Sequence, residues 1–355
     1  MNHRVINWIR NFLCFRQQAV RINGVYASPK PVLSGIPQGS VLGPLLFVIY
    51  INDLPDICRE YANTFLYADD AKLFRQIRDE LDCSNLNTAF ESVHDWCVKW
   101  QMSLNIDKCQ VLSICHGKSS KVTFDYGLRT VNNSFTKLNH VSVIKDLGVF
   151  VDSVLNFSTH ISEKITMAFK MLGVIRHSFI NIDKKTFSLL YKSLVRNHLE
   201  YANSVWNPYK CTLIKDLEKV QKCATKLVSY CKKMNYRDRL KFLNIPTLKC
   251  RRMRGDMIEV FKIMNNIYDN EVTLPLSRNM NSRTRGHDFK LNVVRCKYDL
   301  RKYSFCNRVV NIWNSLPDYV VNSVSVNSFK NNLDKLWMKE DFYYDFDAST
   351  VIFDL

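Results

Sequence analysis

The stretch FLYADDAKLF, from Phe65 to Phe74, sets the carboxylates of Asp69 and Asp70 side by side between apolar runs. Adjacent side chains of a strand point to opposite faces, but at a hairpin turn both can reach one point. A divalent cation there would offset their mutual repulsion, and a hard ion such as Mg²⁺ suits carboxylate and phosphate oxygens. The same pair also reads as an ordinary turn in which Asp bonds its own backbone. Some thirty residues upstream, SGIPQGS places Gly35, Pro37, Gln38, Gly39 and Ser40 ahead of an apolar run. Glycines there let backbone approach a ligand closely, Gln38 can hydrogen-bond a base or sugar, and a helix start favours anions. The plainer alternative is a capped helix start.

The elements that must position these residues follow from pattern. Val5, Trp8, Ile9, Phe12 and Leu13 recur at helical spacing, and AVRINGVYASPKPVL alternates around Asn23-Gly24, a hairpin signal. After the Gly-rich loop comes a buried helix through about Asn52, with Ser40 as its N-cap and Pro44 in its first turn. Asn63 to Gln76 reads as strand, tight turn, strand. A helix with Trp96 and Trp100 on one face follows, then short strands near QVLSIC, KVTFDY and DLGVFVD. From about Asn156 the pattern changes to long amphipathic helices: one through Phe179, one from Lys184 to Tyr201, and one around LIKDLEKVQKCATKLVSYC.

The balance of 50 Lys and Arg against 33 Asp and Glu leaves a net charge of +17. Residues 164–254 alone carry +16 of it, with 21 basic residues against five acids. Such an excess favours a polyanionic partner, nucleic acid before acidic lipid, although a well-solvated helical surface has the same composition. The twelve cysteines include no Cys-x-x-Cys pair, and Cys109, Cys115 and His116 lack a second pair at zinc-finger spacing. They read as reduced thiols of an intracellular protein, nuclear or cytoplasmic. Arg4 and Arg10 interrupt any leader-like run, and VLGPLLFVIYI is about half the length needed to cross a bilayer. The last stretch, EDFYYDFDASTVIFDL, is acidic and aromatic; it either folds back on basic surface or is disordered.

SGIPQGSVLGPLLFVIYINDLP together with YADD resembles two catalytic motifs of reverse transcriptases, in particular those of LINE-type, non-LTR retrotransposons that include jockey-like elements. DWCVKWQMSLNIDKCQVL resembles the next palm segment, DLGVFVD the strand pair near the primer grip, and LVRNHLEYANSVWNP, RLKFLNIPTLKCRRMRGDMIEVFKI, SRTRGHDFKL and FCNRVVNIWNSLP the thumb and C-terminal part. The resemblance implies an α+β protein: a partial polymerase palm, antiparallel sheet with packed helices, over 1–155; a basic helical thumb over 156–270; and a C-terminal extension over 271–355. It implies metal-dependent, template-directed DNA synthesis with RNA template, DNA primer, deoxynucleoside triphosphates and two Mg²⁺ or Mn²⁺ ions about 4 Å apart. Asp69 and Asp70 would hold metal, and Lys108 would stand near the triphosphate, where a surface lysine is the plainer reading. Gly35, Pro37, Gln38, Gly39, Ser40, Tyr67 and Ala68 would lie at the substrate. Lys232, Lys233, Arg251 and Arg252 are the expected nucleic-acid contacts of the thumb.

The pattern has one departure. Residues 1–52 contain no Asp and no Glu, so the further carboxylate of the preceding motif is missing, as are an upstream endonuclease, a zinc knuckle and an RNase H carboxylate set. The expectation is a polymerase fragment, weak or inactive alone, that needs a partner chain to supply the missing palm strand, or a nucleic-acid-binding remnant using the basic thumb. Asp53, Asp82 and Asp107 are substitute ligands that read more simply as surface acids.

Overall fold

The structure, a computed structural model, describes residues 2–115, 122–129, 135–269, 271–279 and 287–348. His116, Lys121, the Ser282–Gly286 part of SRTRGHDFKL and residues 349–355 of the acidic tail lie outside the described residues. The described residues divide into two compact units, the first running to Val111 and resuming over 122–141, the second taking 112–115 and everything from Ser142 onward.

The first unit opens with α1 (His3–Leu13), whose first turn is capped by the Asn2 side chain accepting from the Arg4 amide. Two nested ladders follow, β1 (Gln17–Gln18) with β4 (Lys30–Pro31) outside β2 (Arg21–Ile22) with β3 (Val25–Tyr26). Asn23 and Gly24 turn the inner hairpin with φ of 48° and 88°, the left-handed pair that the Asn-Gly dipeptide signals. Next come α2 (Leu42–Tyr50), α3 (Leu54–Cys58), the hairpin β5 (Asn63–Tyr67) and β6 (Asp70–Phe74), and α4 (Glu80–Lys99), capped by Asp79. Ile51, Leu54, Cys58, Ala89, Val93 and Trp96 form its core, with Leu66 and Leu73 of the hairpin packed against them. β7 (Gln110–Leu112), β8 (Gly127–Arg129), β9 (Phe135–Lys137) and β10 (Asn139–Val141) complete this part.

Two expectations for this unit are corrected. The helix α2 is not buried: only Gly43 is enclosed, while Leu45, Val48 and Ile49 are each more than half exposed. Phe47 packs onto the core and Tyr50 meets the rings of Trp96 and Trp100, while those three side chains stay largely exposed. The strand read at KVTFDY begins later, at Gly127; Val122 to Tyr126 run without a ladder, and Tyr126 is buried beside Cys83 and Leu138. The antiparallel sheet expected over 1–155 takes the form of separate two-stranded ladders among the described residues.

The second unit opens with the hairpin β11 (Val143–Asp146) and β12 (Val149–Asp152), turned by Leu147 and Gly148 at φ of 42° and 83°. Asp152 then accepts the amides of Val154, Asn156 and Phe157, bending the chain into α5 (Ser158–Ser178). The helix expected from Lys184 to Tyr201 is present in three pieces: α6 (Lys184–Leu190), a π-helical turn over Tyr191–Val195, and α7 (Arg196–Glu200). The wide turn coincides with Tyr191, fully buried, whose hydroxyl donates to Gln221 at 2.6 Å. After α8 (Asn203–Trp206) come α9 (Cys211–Ala224), α10 (Tyr236–Leu243) and α11 (Leu248–Met264). The C-terminal helices are α12 (Asp299–Lys302), α13 (Phe305–Asn314), α14 (Asp318–Val321) and α15 (Val326–Trp337).

Two cores share this unit, one around Leu172, Tyr191, Leu199, Trp206 and Leu217, the other around Met257, Phe261, Trp313, Phe329 and Trp337. The acidic, aromatic tail folds back over Asp341–Ala348. Thr247 donates its amide and hydroxyl to the carbonyls of Tyr343 and Phe342, and the Lys249 ammonium reaches the carbonyls of Phe346 and Ala348. Phe342, Tyr343 and Phe346 are buried, and Tyr344 packs against both cores.

Candidate active site

The two motifs that could do chemistry both lie in the first unit. In the loop ahead of α2, Gly35 and Gly39 take φ of 78° and 77°. A Cβ at either would meet nothing within 4 Å, so it is backbone conformation that calls for glycine. Arg16 donates to the carbonyls of Ser34 and Gly35 and holds the loop's entry. Ser40 donates its hydroxyl to the Pro37 carbonyl at 2.7 Å and accepts the Gly43 amide at 3.0 Å. That hydroxyl thus satisfies one amide of the first turn, as a cap does, although Val41 directly precedes the helix. Gly43 has no room for a side chain, since a Cβ would stand 2.9 Å from the Ser40 hydroxyl. Gln38 and Gly39 are exposed at the tip.

The second motif forms the predicted hairpin. Tyr67 pairs with Asp70, leaving Ala68 and Asp69 as a two-residue loop, with Ala68 at φ of 50°. Leu66 and Leu73 face the core; the opposite face carries Phe65 and Phe74, stacked at 5.3 Å between ring centroids, together with Tyr67. Asp69 and Asp70 are exposed at the tip, and their carboxylates make no hydrogen bond or ion pair to a described residue. Two carboxylates with free oxygens at one turn are a donor set of the right kind for a hard cation. Among the described residues, no group of three or more His, Cys, Asp or Glu side chains is placed to hold a metal.

Two of the three substitute acids are occupied elsewhere. Asp53 accepts the Trp96 indole N–H at 3.1 Å, fixing α4 to the α2–α3 junction. Asp82 takes the Arg75 guanidinium at 2.9 Å and the Arg78 amide at 3.0 Å, and the Arg75 bond holds its carboxyl below the ordinary range. Asp107 lies exposed in a single 3₁₀ turn, Ile106–Lys108. Lys108, at the end of that turn, is exposed, its amide held by the Asn105 side chain at 3.3 Å.

The four basic residues expected to hold nucleic acid are split by the second unit. Lys232 and Lys233 are exposed after a 3₁₀ turn. Arg252 is buried and Arg251 half-buried, and both are engaged within the unit. Arg251 makes two 2.8 Å bonds to Glu200, and Arg252, 2% exposed, donates to Asn207 at 3.2 Å in the company of Glu218 and Asp256. A guanidinium so placed cannot meet a phosphate without giving up a buried partner. Sequence reasoning also missed Arg308, which forks onto Asp256 with both bonds at 3.0 Å. No local signal marks that pair, because its partners are 52 positions apart.

All twelve cysteines are free thiols. Among the described residues no helix is long and apolar enough to cross a membrane.

Residues 1–176 match the family described as reverse transcriptase (RNA-dependent DNA polymerase). The RNA-directed DNA polymerase from mobile element jockey of Drosophila melanogaster is 28% identical over 210 residues, 56% of this chain and 22% of that protein. The jockey polymerase of Drosophila funebris is 29% identical over 224 residues, 59% of this chain and 21% of that protein. The probable RNA-directed DNA polymerase from transposon X-element of Drosophila melanogaster is 26% identical over 236 residues, 63% of this chain and 25% of that protein. The chain therefore spans a quarter or less of the length of these relatives. No solved structure matches it.

Proposed function

We propose that this chain, whose residues 1–176 match the reverse-transcriptase family, takes part in RNA-directed DNA synthesis of a non-LTR retrotransposon. The observation that carries this reading is the hairpin tip: Asp69 and Asp70 adjacent, exposed and unpartnered, within the segment that matches the family.

In the reaction so proposed, the 3′-hydroxyl of a DNA primer attacks the α-phosphorus of a deoxynucleoside triphosphate paired to an RNA template. The new P–O bond forms as the bond to pyrophosphate breaks. Asp69 and Asp70 would hold Mg²⁺ or Mn²⁺, which when bound supplies charge stabilisation at the transferring phosphoryl group. Gly39 lets backbone approach the nucleotide, Gln38 offers its amide to base or sugar, and Gly35, Pro37 and Ser40 fix the loop. Tyr67 and Ala68 set the hairpin turn beneath the reacting atoms. Lys108 is the residue proposed to give a proton to the departing pyrophosphate. Lys232 and Lys233 supply phosphate contacts from the basic helices.

Asp69 and Asp70 are two ligands where such chemistry needs at least one more. The hairpin pairs only with itself among the described residues, so both edges present unpaired backbone groups to a further strand. A partner chain that adds this strand and its acid is the completion proposed here. A second reading is nucleic-acid binding without catalysis; it is supported by the exposed Lys232 and Lys233 and by the lack, among the described residues, of a third acid beside Asp69 and Asp70.

Primer extension on an RNA template with a DNA primer, deoxynucleotides and Mg²⁺ or Mn²⁺ decides between them, with Asp69→Asn as the matched variant. Extension by the wild type that the variant loses supports polymerase chemistry at this hairpin. Binding of template and primer by both without extension, also after addition of a chain that carries the preceding palm segment with its acid, overturns it and leaves the second reading.

A further inference from the structure

The basic helices of the second unit carry a groove that lies outside residues 1–176 and that the polymerase chemistry does not use. Its volume is about 480 Å³, and its walls come from three places: Asn181–Lys184 with Thr186 at the start of α6, Val228–Tyr230, and Phe242 of α10. That size falls among small-ligand clefts, which run from roughly 300 to 1,000 Å³.

The aromatic content is unusual for a solvated wall. Tyr230 is 73% exposed, a large ring left in water, and it leans on Phe242 with centroids 5.2 Å apart and planes 32° apart. The Lys184 ammonium lies 5.2 Å from the Phe242 centroid. Phe242 thus meets both a cation and a second ring, and most of Tyr230 is left open to solvent. A flat, exposed and supported ring is what a base stacks on, irrespective of its identity.

Charge selects the ligand further. Lys184 on the groove wall is exposed, as are Lys232 and Lys233, which follow the wall residue Tyr230 by two and three positions. The groove's own acid, Asp183, is engaged: its carboxylate accepts the Thr186 amide at 2.7 Å. An aromatic platform flanked by cations of one sign complements a chain of phosphates with stackable bases. Polar groups of Asn181 and Ser229 on the walls are within the reach of a base edge or sugar.

We propose that this groove binds an unpaired nucleotide of a single-stranded nucleic acid, with its base stacked on Tyr230 and its flanking phosphates met by Lys184, Lys232 and Lys233. A duplex does not satisfy it, because paired bases do not offer a free face to a single ring. The site deepens the function proposed above by giving the helical unit an unpaired strand as partner; it shares Lys232 and Lys233 with that reading and adds Tyr230 and Lys184.

The test is a fluorescence-anisotropy titration of the full chain with labelled twelve-residue oligo(U) and oligo(dT), and with the same oligo(dT) carrying abasic positions. Tyr230→Ala is expected to weaken binding of the intact strands about tenfold, and Tyr230→Phe to keep it. The abasic strand is expected to bind wild type and Tyr230→Ala alike. A difference between oligo(U) and oligo(dT) identifies which strand the groove prefers. Equal affinity of wild type and Tyr230→Ala for intact strands overturns the proposal, as does failure to bind any strand. Displacement of the strand by polyglutamate with the same Tyr230 dependence also overturns it, in favour of an acidic peptide. Primer extension separates the two readings: extension without Tyr230-dependent binding removes the groove and leaves the polymerase, whereas Tyr230-dependent binding without extension does the reverse.

Discussion

The hydroxyl of Tyr201 donates to the carbonyl oxygen of Leu147 at 2.8 Å, fastening the turn of the β11–β12 hairpin to the end of α7. Gly148, next in the turn, sits at φ of 83° with its would-be Cβ 3.3 Å from the Tyr201 ring. Tyr201→Phe should cost about 0.5–1.5 kcal/mol, one hydrogen bond in a partly exposed setting. Gly148→Ala should cost more, on the order of 2 kcal/mol, since it adds left-handed strain to a close contact. Urea unfolding of both variants checks the order, and a Gly148→Ala as stable as wild type refutes the argument.

Arg308 and Asp256 form an ion pair with side chains only 12% and 4% exposed. Burial alone would raise the Asp256 carboxyl, and the Arg308 and Asn207 bonds oppose that. Arg308→Ala leaves the carboxylate buried without its partner and should destabilise by about 3 kcal/mol or more. Arg237→Ala, which breaks an exposed pair with Asp341, should cost less than about 1 kcal/mol. Equal midpoints for the two variants in denaturant would contradict the placement.

Placing Lys232 and Lys233 outside and Arg251 inside separates charge from architecture. Lys232→Ala with Lys233→Ala should lower the slope of log affinity against log salt by about 2 for nucleic acid, with the melting temperature unchanged. Arg251→Ala should leave the slope alone and lower the melting temperature, because Glu200 loses its two-pronged partner. The reverse pattern would mean that Arg251 reaches phosphate.

His160 is fully enclosed between the rings of Phe150 and Trp206, and its Nδ1 accepts the Phe150 amide at 3.2 Å. Burial, helped by nearby Lys164, pulls its pKa down to about 4 from 6.5. The folded state therefore keeps the ring neutral where the unfolded chain has begun to protonate. Its contribution to stability is complete above about pH 6.5 and is lost as pH falls toward 4. Wild type should lose on the order of 3 kcal/mol across that window beyond what His160→Phe loses. Parallel stability curves for the two proteins would remove His160 as the cause.

Much of the local structure was legible because short-range chemistry decides it. Asn23-Gly24 carries its turn type in the dipeptide, and the two-residue loop at Ala68-Asp69 follows from strand patterning on either side, whereas the turn at Leu147-Gly148 lies inside a stretch that reads as one strand. Ser40 was read as a cap and its hydroxyl does that work one residue early. What the sequence hid depends on partners far along the chain. Arg252 looks like a surface cation until Asn207, Asp256 and Glu218 converge on it. The apolar run of α2 looks like core, and only the packing of the unit shows that one edge alone is covered. Asp53 looked free as a ligand until Trp96, 43 positions later, claimed it.

The returning tail has a consequence for the order of assembly. Phe342, Tyr343 and Phe346 are buried, and Tyr344 touches both cores of the helical unit, yet these residues are synthesised after every helix they close over. A nascent chain can lay down α5 to α15 and still lack the piece that seals them. The tail is a latch thrown last, so a product that stops short of Phe342 keeps every helix and forfeits the closure between its two cores.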